Sequence, residues 1–148
     1  MTREIIRGSS IDFLVLGRAE ILRVVPEEPH IVISITDPGA PLAKIADAQA
    51  RLDLLRLQFH DAETPQEGRI LLSDQEAQAV IAFVNQHKEA SRLIVCQCEG
   101  GISRSAGVAA PLSRWLQSDD ADFFRHFQPN RHVYEKVLQA ARSQMPPA

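Results

Sequence analysis

The chain has 148 residues and a formal net charge of −3, and 45% of its residues are hydrophobic while 24% are charged. This length predicts one domain over residues 1–148 with a substantial core, and the acidic balance gives no support for a nucleic-acid-binding surface. No apolar run approaches the roughly 20 residues that span a bilayer, residues 1–7 lack the apolar core of a signal peptide, and the two cysteines cannot form a disulfide framework. We therefore expect a cytoplasmic protein that binds neither nucleic acid nor a membrane.

Three strands and two helices are predicted in the first half of the chain. The strands are runs of β-branched and apolar residues at 11–16, 30–35 and 54–59. A short helix over 18–25 ends before Pro26, and helical composition predicts a second helix over 42–50. Turn residues at Asp37-Pro38-Gly39 follow the second strand, and a polar loop over 61–68 follows the third.

Helices dominate the second half. Ser73 and Glu76 have the spacing of a capping box, and the apolar residues that follow recur with helical periodicity. An apolar strand is predicted over 93–97, followed by a helix in which Pro111 should produce a kink or an early end. Two further helices over 119–127 and 131–143 precede a frayed tail over 146–148. The alternation predicts an α/β fold with a central, largely parallel sheet flanked by helices on both faces.

The segment between the strand at 93–97 and the next helix carries the strongest functional pattern. Five residues separate Cys98 from Arg104: Glu99, Gly100, Gly101, Ile102 and Ser103. A glycine-containing loop that enters a helix points free backbone N–H groups at one spot, and that spot binds anions. A thiol placed there is favoured as the nucleophilic thiolate, and an arginine offers a planar fork for two phosphate oxygens. The pattern indicates hydrolysis of phosphate esters.

The run Cys-x-x-Gly-x-x-Arg-Ser at Cys98–Ser105 resembles the signature loop of the cysteine-dependent protein tyrosine and dual-specificity phosphatases. The resemblance implies that Cys98 attacks phosphorus to form a cysteinyl-phosphate, that Arg104 holds the phosphoryl group, and that Ser105 helps the thiolate leave. It implies a phosphate-binding loop over 99–104. One difference from the family is Gln97, which occupies the position of a histidine that usually orients the loop.

The resemblance also implies a general acid, an aspartate on a separate loop upstream of the cysteine. Asp61 follows the third predicted strand at a matching distance and opens the polar loop, so it is the preferred candidate. Asp37 and Glu63 remain alternatives, although the Asp37 segment is better explained as a turn. For Arg104, the alternative to phosphate binding is an ion pair at the start of the helix, with Glu99 as a partner.

Other polar groups have simpler interpretations. Cys96 lies on the same side of its strand as Cys98, but a Cys-x-Cys disulfide has poor geometry, so a core residue is preferred over a redox role. Asn130 is either an N-cap or, as in many dual-specificity phosphatases, a support for the signature loop. No set of histidine, cysteine and acidic residues has metal-ligand spacing, and we expect neither a metal nor another cofactor.

The expected substrate is a phosphorylated protein or a small phosphomonoester. Glu99 and Gly100 stand where phosphoinositide phosphatases of this superfamily carry lysines, and a carboxylate there disfavours polyanionic headgroups and RNA 5′-triphosphates. Two other classes compete with a phosphatase. The first is a rhodanese-like or arsenate-reductase-like thiol enzyme, against which the late position of the loop argues. The second is a non-catalytic phosphate- or phosphopeptide-binding module, which Gln97 would favour.

Overall fold

The computed structural model describes residues 5–144. Its centre is a four-stranded parallel sheet made of β1 (Asp12–Leu16), β2 (His30–Thr36), β3 (Arg51–Gln58) and β4 (Leu93–Gln97). The strand order is β1-β4-β2-β3, so β2 and β4 are the inner strands. Both inner strands are buried along their whole length, as the apolar character of their sequences predicts.

Five helices surround the sheet within the described residues. They are α1 (Arg18–Ile21), α2 (Asp74–His87), α3 (Arg104–Gln117), α4 (Ala121–His126) and α5 (Arg131–Ser143). Ser73 and Glu76 form the predicted capping box at the start of α2. Pro111 lies inside α3, which continues for six residues beyond it. No described helix is long and apolar enough to cross a membrane.

Alternating residues of the strands enter two separate cores. On one face, Ile33 and Cys96 pack with apolar residues of α2, α3, α4 and α5. On the other face, Val32 and Val95 pack with Ile21 of α1 and with the half-buried Ile45. The prediction of an α/β fold with helices on both faces of a parallel sheet is confirmed, with the four longer helices together on one face.

The prediction of a helix over 42–50 is wrong. The segment from Pro41 to Ala48 has no regular secondary structure and lies across the face that α1 also covers. Its carbonyl groups accept hydrogen bonds from arginine side chains of other elements instead of from its own amides. Arg18 donates to the carbonyls of Pro41 and Leu42. Arg56 donates to Ala43 O over 3.0 Å, and Arg51 donates to Ala46 O over 3.1 Å. Tertiary contacts therefore override helix propensity here.

Element ends differ from the sequence predictions by a few residues. The first helix ends at Ile21, four residues early, and α4 is shorter than predicted by two residues at its start and one at its end. The third strand begins three residues before its predicted start. The predicted frayed tail at 146–148 lies outside the described residues.

Candidate active site

The loops that follow the four strands lie along one edge of the sheet because parallel strands all end on the same side. The loop after β4, residues 98–103, is called the Cys98 loop, and the loop after β3, residues 61–68, is called the Asp61 loop. Since β4 lies between β1 and β2, Cys98 occupies the middle of this edge. A backbone hydrogen bond from Cys98 N to Leu16 O, 3.1 Å long, ties the loop to the end of β1.

Two polar groups lie within hydrogen-bond distance of the Cys98 sulfur. Its side chain is almost fully buried. The backbone N–H of Gly101 donates to Sγ over 3.3 Å, and the Ser105 hydroxyl lies 3.1 Å from Sγ. Gly101 has φ +70°, a conformation that glycine adopts without strain and that lets its amide turn back toward the sulfur. Gly101 and Ser105 therefore both contact the same sulfur atom.

Arg104 is the first residue of α3, and its side chain is buried. Its Nη1 donates to Asp37 Oδ1 over 2.6 Å and to the backbone carbonyl of Phe59 over 2.7 Å. The ion-pair partner of Arg104 is therefore Asp37 at the end of β2, and not Glu99. The Asp37 turn predicted from the sequence is also present, since the N–H of Ala40 donates to Asp37 O over 3.1 Å.

Glu99 pairs with Arg18, which follows β1. Nε of Arg18 lies 3.1 Å from both carboxylate oxygens of Glu99, and the Arg18 backbone N–H donates to Glu99 O over 3.1 Å. The remaining nitrogens of the guanidinium donate to the carbonyls of Pro41 and Leu42. Arg18, at the start of α1, thus links Glu99 of the Cys98 loop to the backbone of Pro41 and Leu42.

Asp61 is exposed and contacts the Cys98 loop through its side chain. Its Oδ1 accepts hydrogen bonds from Ser103 Oγ and from Asn130 Nδ2, each 2.8 Å long. Asn130 serves as N-cap of α5 as well, because its Oδ1 accepts from Val133 N over 3.0 Å. The N-cap interpretation of Asn130 is therefore confirmed, whereas its side-chain amide contacts the Asp61 loop and not the Cys98 loop. Glu63 accepts from the Arg131 N–H over 2.6 Å, so this carboxylate is occupied at the start of α5.

Gln97, the residue in the usual histidine position, is fully buried. Its Oε1 accepts a hydrogen bond from Ser34 of β2, and its Nε2 donates to the Cys98 carbonyl oxygen over 3.0 Å. The amide thus fixes the first peptide group of the Cys98 loop. Unlike an imidazole, it does so without a titratable proton.

Cys96 belongs to the core. Both cysteines are free thiols, and Cys96 packs in the cluster formed with the longer helices. Burial, and to a lesser extent the proximity of Cys98, raises the pKa of Cys96, which keeps it as an unreactive neutral thiol. Among the residues from 5 to 144, no group of three histidine, cysteine or acidic side chains is arranged to hold a metal ion.

A cleft of about 710 Å³ opens beside the Cys98 loop. The Asp61 loop forms one wall, the segment from Phe124 to Arg131 forms the other, and Ser103 lies at its edge. Phe124 is 43% exposed and supplies an aromatic surface. The cleft therefore adjoins the Cys98 loop at Ser103.

Three contacts were not anticipated from the sequence. They are Asp37 with Arg104, Arg18 with Glu99, and Ser34 with Gln97. In each pair, one member lies within residues 97–104, and the other lies within a distant strand or one or two residues after it. The position of Asp37 at a strand end was the only available signal.

No protein-family model and no curated protein sequence matches the chain. Solved structures do match it. A mouse dual-specificity phosphatase complexed with zinc tungstate has 12% identity and a TM-score of 0.61, over 97% of this chain and 89% of that chain. Tk-PTP in its active form has 13% identity and a TM-score of 0.56, over 98% and 100%. The human tyrosine phosphatase-like serine/threonine/tyrosine-interacting protein has 17% identity and a TM-score of 0.53, over 79% and 78%.

The chain therefore has the fold of the dual-specificity and protein tyrosine phosphatases. The resemblance found at Cys98–Ser105 is confirmed at the level of the fold. At these identities the comparison concerns the fold, and the chemistry of the site is argued from its own residues.

Proposed function

We propose that the protein is a cysteine-dependent phosphomonoester hydrolase of the protein tyrosine and dual-specificity phosphatase type. The observation that carries the proposal is the convergence of the Gly101 N–H and the Ser105 hydroxyl on Cys98 Sγ. A buried structural cysteine has no need of two donors, whereas a nucleophilic thiolate does.

In the first step, the Cys98 thiolate attacks phosphorus and the bond from phosphorus to the leaving oxygen breaks. Loop amides and the Arg104 fork bind the equatorial oxygens. Asp61 gives its proton to the leaving oxygen. Since both hydrogen bonds that Asp61 accepts within the described residues go to Oδ1, Oδ2 is the oxygen available for this transfer.

In the second step, a water molecule attacks the cysteinyl-phosphate. Asp61, now a carboxylate, takes a proton from the water, and the bond from sulfur to phosphorus breaks. Ser105, with its Oγ 3.1 Å from Sγ, donates a hydrogen bond to the departing thiolate. Inorganic phosphate is released and the thiolate is regenerated.

The site supports a substrate with one phosphate near the loop. Arg18 lies beside the loop, but its guanidinium is occupied by Glu99 and by the carbonyls of Pro41 and Leu42. It therefore offers no cation for a second phosphate, and Glu99 adds a carboxylate. The open cleft beside Ser103 accommodates a leaving group larger than a simple alcohol. A phosphorylated protein or a small phosphomonoester satisfies both conditions.

Hydrolysis of p-nitrophenyl phosphate in the presence of EDTA, from about pH 5 to about pH 8, tests the proposal. Turnover should be lost in Cys98→Ser and kept in the matched control Cys96→Ala, which removes the neighbouring buried thiol. Mass spectrometry of acid-quenched protein should find phosphate on the peptide that contains Cys98. A reduced, folded protein that binds phosphate without turnover would refute hydrolysis and favour a binding module.

The role of Asp61 has a separate test. Asp61→Asn keeps an oxygen for Ser103 and removes the transferable proton. It should lower kcat by about 10²–10⁴-fold for phenyl phosphate, whose leaving group is poor, and much less for p-nitrophenyl phosphate. Equal losses for the two substrates would exclude Asp61 as the general acid.

A further inference from the structure

His60 and Ile70 close the Asp61 loop at its base. The backbone N–H of Ile70 donates to His60 Nδ1 over 2.9 Å, and the His60 N–H donates to Ile70 O over 2.6 Å. Two hydrogen bonds therefore join the residue before the loop to a residue just after it. The residues from 63 to 70 are all exposed, so this end of the loop is closed by hydrogen bonds and not by burial of side chains.

His60 also sets the direction in which the chain enters the loop. Phe59, which precedes it, is fully buried, and its N–H donates to Thr36 O over 3.2 Å. The carbonyl of His60 accepts from the Ala62 N–H over 3.0 Å, which makes a tight three-residue turn with Asp61 at its centre. The orientation of His60 therefore determines how the Asp61 side chain leaves the turn.

The hydrogen bond from Ile70 fixes the tautomer of the imidazole. A backbone N–H only donates, so Nδ1 of His60 accepts and carries no hydrogen, and the neutral ring has its hydrogen on Nε2. Because this lone pair of Nδ1 is occupied, the atom serves loop closure and does not take a proton from water or substrate. An asparagine carries its amide oxygen at the position that corresponds to Nδ1, whereas a glutamine carries it at the position that corresponds to Nε2.

We propose that His60 is a positioning residue that acts through Asp61: its ring and backbone close the loop and hold Asp61 Oδ2 where it can transfer a proton. Ser103 and Asn130 fix the other carboxylate oxygen, and the turn at His60 fixes the backbone that carries it. A loop closed at its base loses less conformational freedom when a substrate binds. This inference rests on the proposed function, since it requires Asp61 to act as the general acid.

The dependence of kcat/KM on the leaving group is the first measurement. His60→Ala should lower kcat/KM for phenyl phosphate by about 3–10-fold, the factor that corresponds to one neutral hydrogen bond. For p-nitrophenyl phosphate, whose leaving group needs little protonation, the change should stay below about twofold. His60→Asn keeps an acceptor for Ile70 and should restore most of the lost activity. The matched control is His87→Ala, which removes a histidine paired with Asp53 over 2.8 Å near the start of β3 and should leave both values unchanged.

Three kinetic results would overturn the proposal. The first is an unchanged kcat/KM for phenyl phosphate in His60→Ala. The second is an equal loss for the two substrates, which would show that the change does not act through Asp61. The third is a loss in His60→Asn as large as in His60→Ala, because the acceptor at Nδ1 would then not be the cause. Circular dichroism establishes that each variant is folded. If His60→Ala is unfolded, His60→Gln replaces it, and equal kcat/KM for phenyl phosphate in His60→Gln and His60→Asn would refute the role.

Nuclear magnetic resonance tests the contacts without turnover. The ring signals of His60, identified by their loss in His60→Asn, should show a neutral form with hydrogen on Nε2, and hydrogen on Nδ1 would overturn the proposal. The amides of Ile70 and Ala62 should exchange hydrogen about 3–10-fold faster in His60→Ala than in the unsubstituted protein. Unchanged exchange of the Ala62 amide would show that the turn at Asp61 does not depend on His60, and would also overturn it.

The two proposals fail separately. If the unsubstituted protein hydrolyses neither substrate, the proposed hydrolysis is refuted, while the exchange rates still decide whether His60 holds the turn at Asp61. If Asp61→Asn loses activity toward phenyl phosphate selectively and His60→Ala does not, the proposed function stands and only the positioning role of His60 is refuted.

Discussion

The buried pair formed by Ser34 and Gln97 gives a prediction whose magnitude follows from the contacts. The Ser34 hydroxyl donates to Gln97 Oε1, and both side chains are at most 1% exposed. Ser34→Ala therefore leaves a buried carbonyl oxygen without its donor, which costs about 1–3 kcal/mol of the free energy of unfolding. Gln97→Met leaves both the Ser34 hydroxyl and the Cys98 carbonyl oxygen without the amide, and should cost at least as much.

The double variant tests whether the pair acts as a unit. Replacing both side chains removes the mismatch between them, so the combined loss should be about 1–2 kcal/mol smaller than the sum of the single losses. Urea unfolding of the four proteins measures this coupling. Ser91→Ala is the matched control, because it removes a buried hydroxyl that donates to His87 O. Its change in the free energy of unfolding should add to that of Gln97→Met. Additivity of Ser34→Ala and Gln97→Met within about 0.5 kcal/mol would refute the reasoning.

Two further predictions concern the supports of the site. A Cβ at Gly107 would lie 2.9 Å from the Asn130 carbonyl oxygen, so Gly107→Ala should push α3 and α5 apart. We expect the free energy of unfolding, measured in urea, to fall by about 1–3 kcal/mol. Activity should also fall, because Asn130 would shift away from Asp61. Unchanged stability would contradict this packing. Burial and the hydrogen bond to Asp120 raise the pKa of Tyr134. The stability that this residue contributes is therefore complete below its unfolded-state pKa of about 10. It is lost as the pH rises through the higher pKa of the folded state. Phenolate absorbance of this single tyrosine should titrate above that value and shift down in Asp120→Ala; an unchanged midpoint in the variant would exclude the contact as a cause.

Local sequence patterns predicted the parts of the structure whose causes are local. The buried runs of β2 and β4 specify inner strands of a parallel sheet, and the Ser73 capping box specifies the start of α2. The Cys98 loop was found because its residues are consecutive and its strand and helix adjoin it. The fold class follows from the order of these elements alone.

The remaining features depend on contacts between distant parts of the chain. Residues 42–50 have the composition of a helix, but three arginines from α1 and β3 take the carbonyls that a helix would use. Apart from the position of Asp37 at a strand end, nothing in the sequence indicates that its carboxylate contacts Arg104, 67 positions away. Propensity and spacing do not encode such pairings, because the partners become neighbours only when the sheet forms.

The segment from Pro41 to Ala48 has a consequence for motion near the site. Side-chain guanidinium groups hold its carbonyls, so its amides lack the protection of a helical ladder, and we expect it to exchange hydrogen and to open at a lower free energy than α2 or α3. Each opening would release the two nitrogens of Arg18 that bind Pro41 and Leu42. The same arginine holds Glu99, so local unfolding on one face of the sheet would loosen the first turn of the Cys98 loop on its edge.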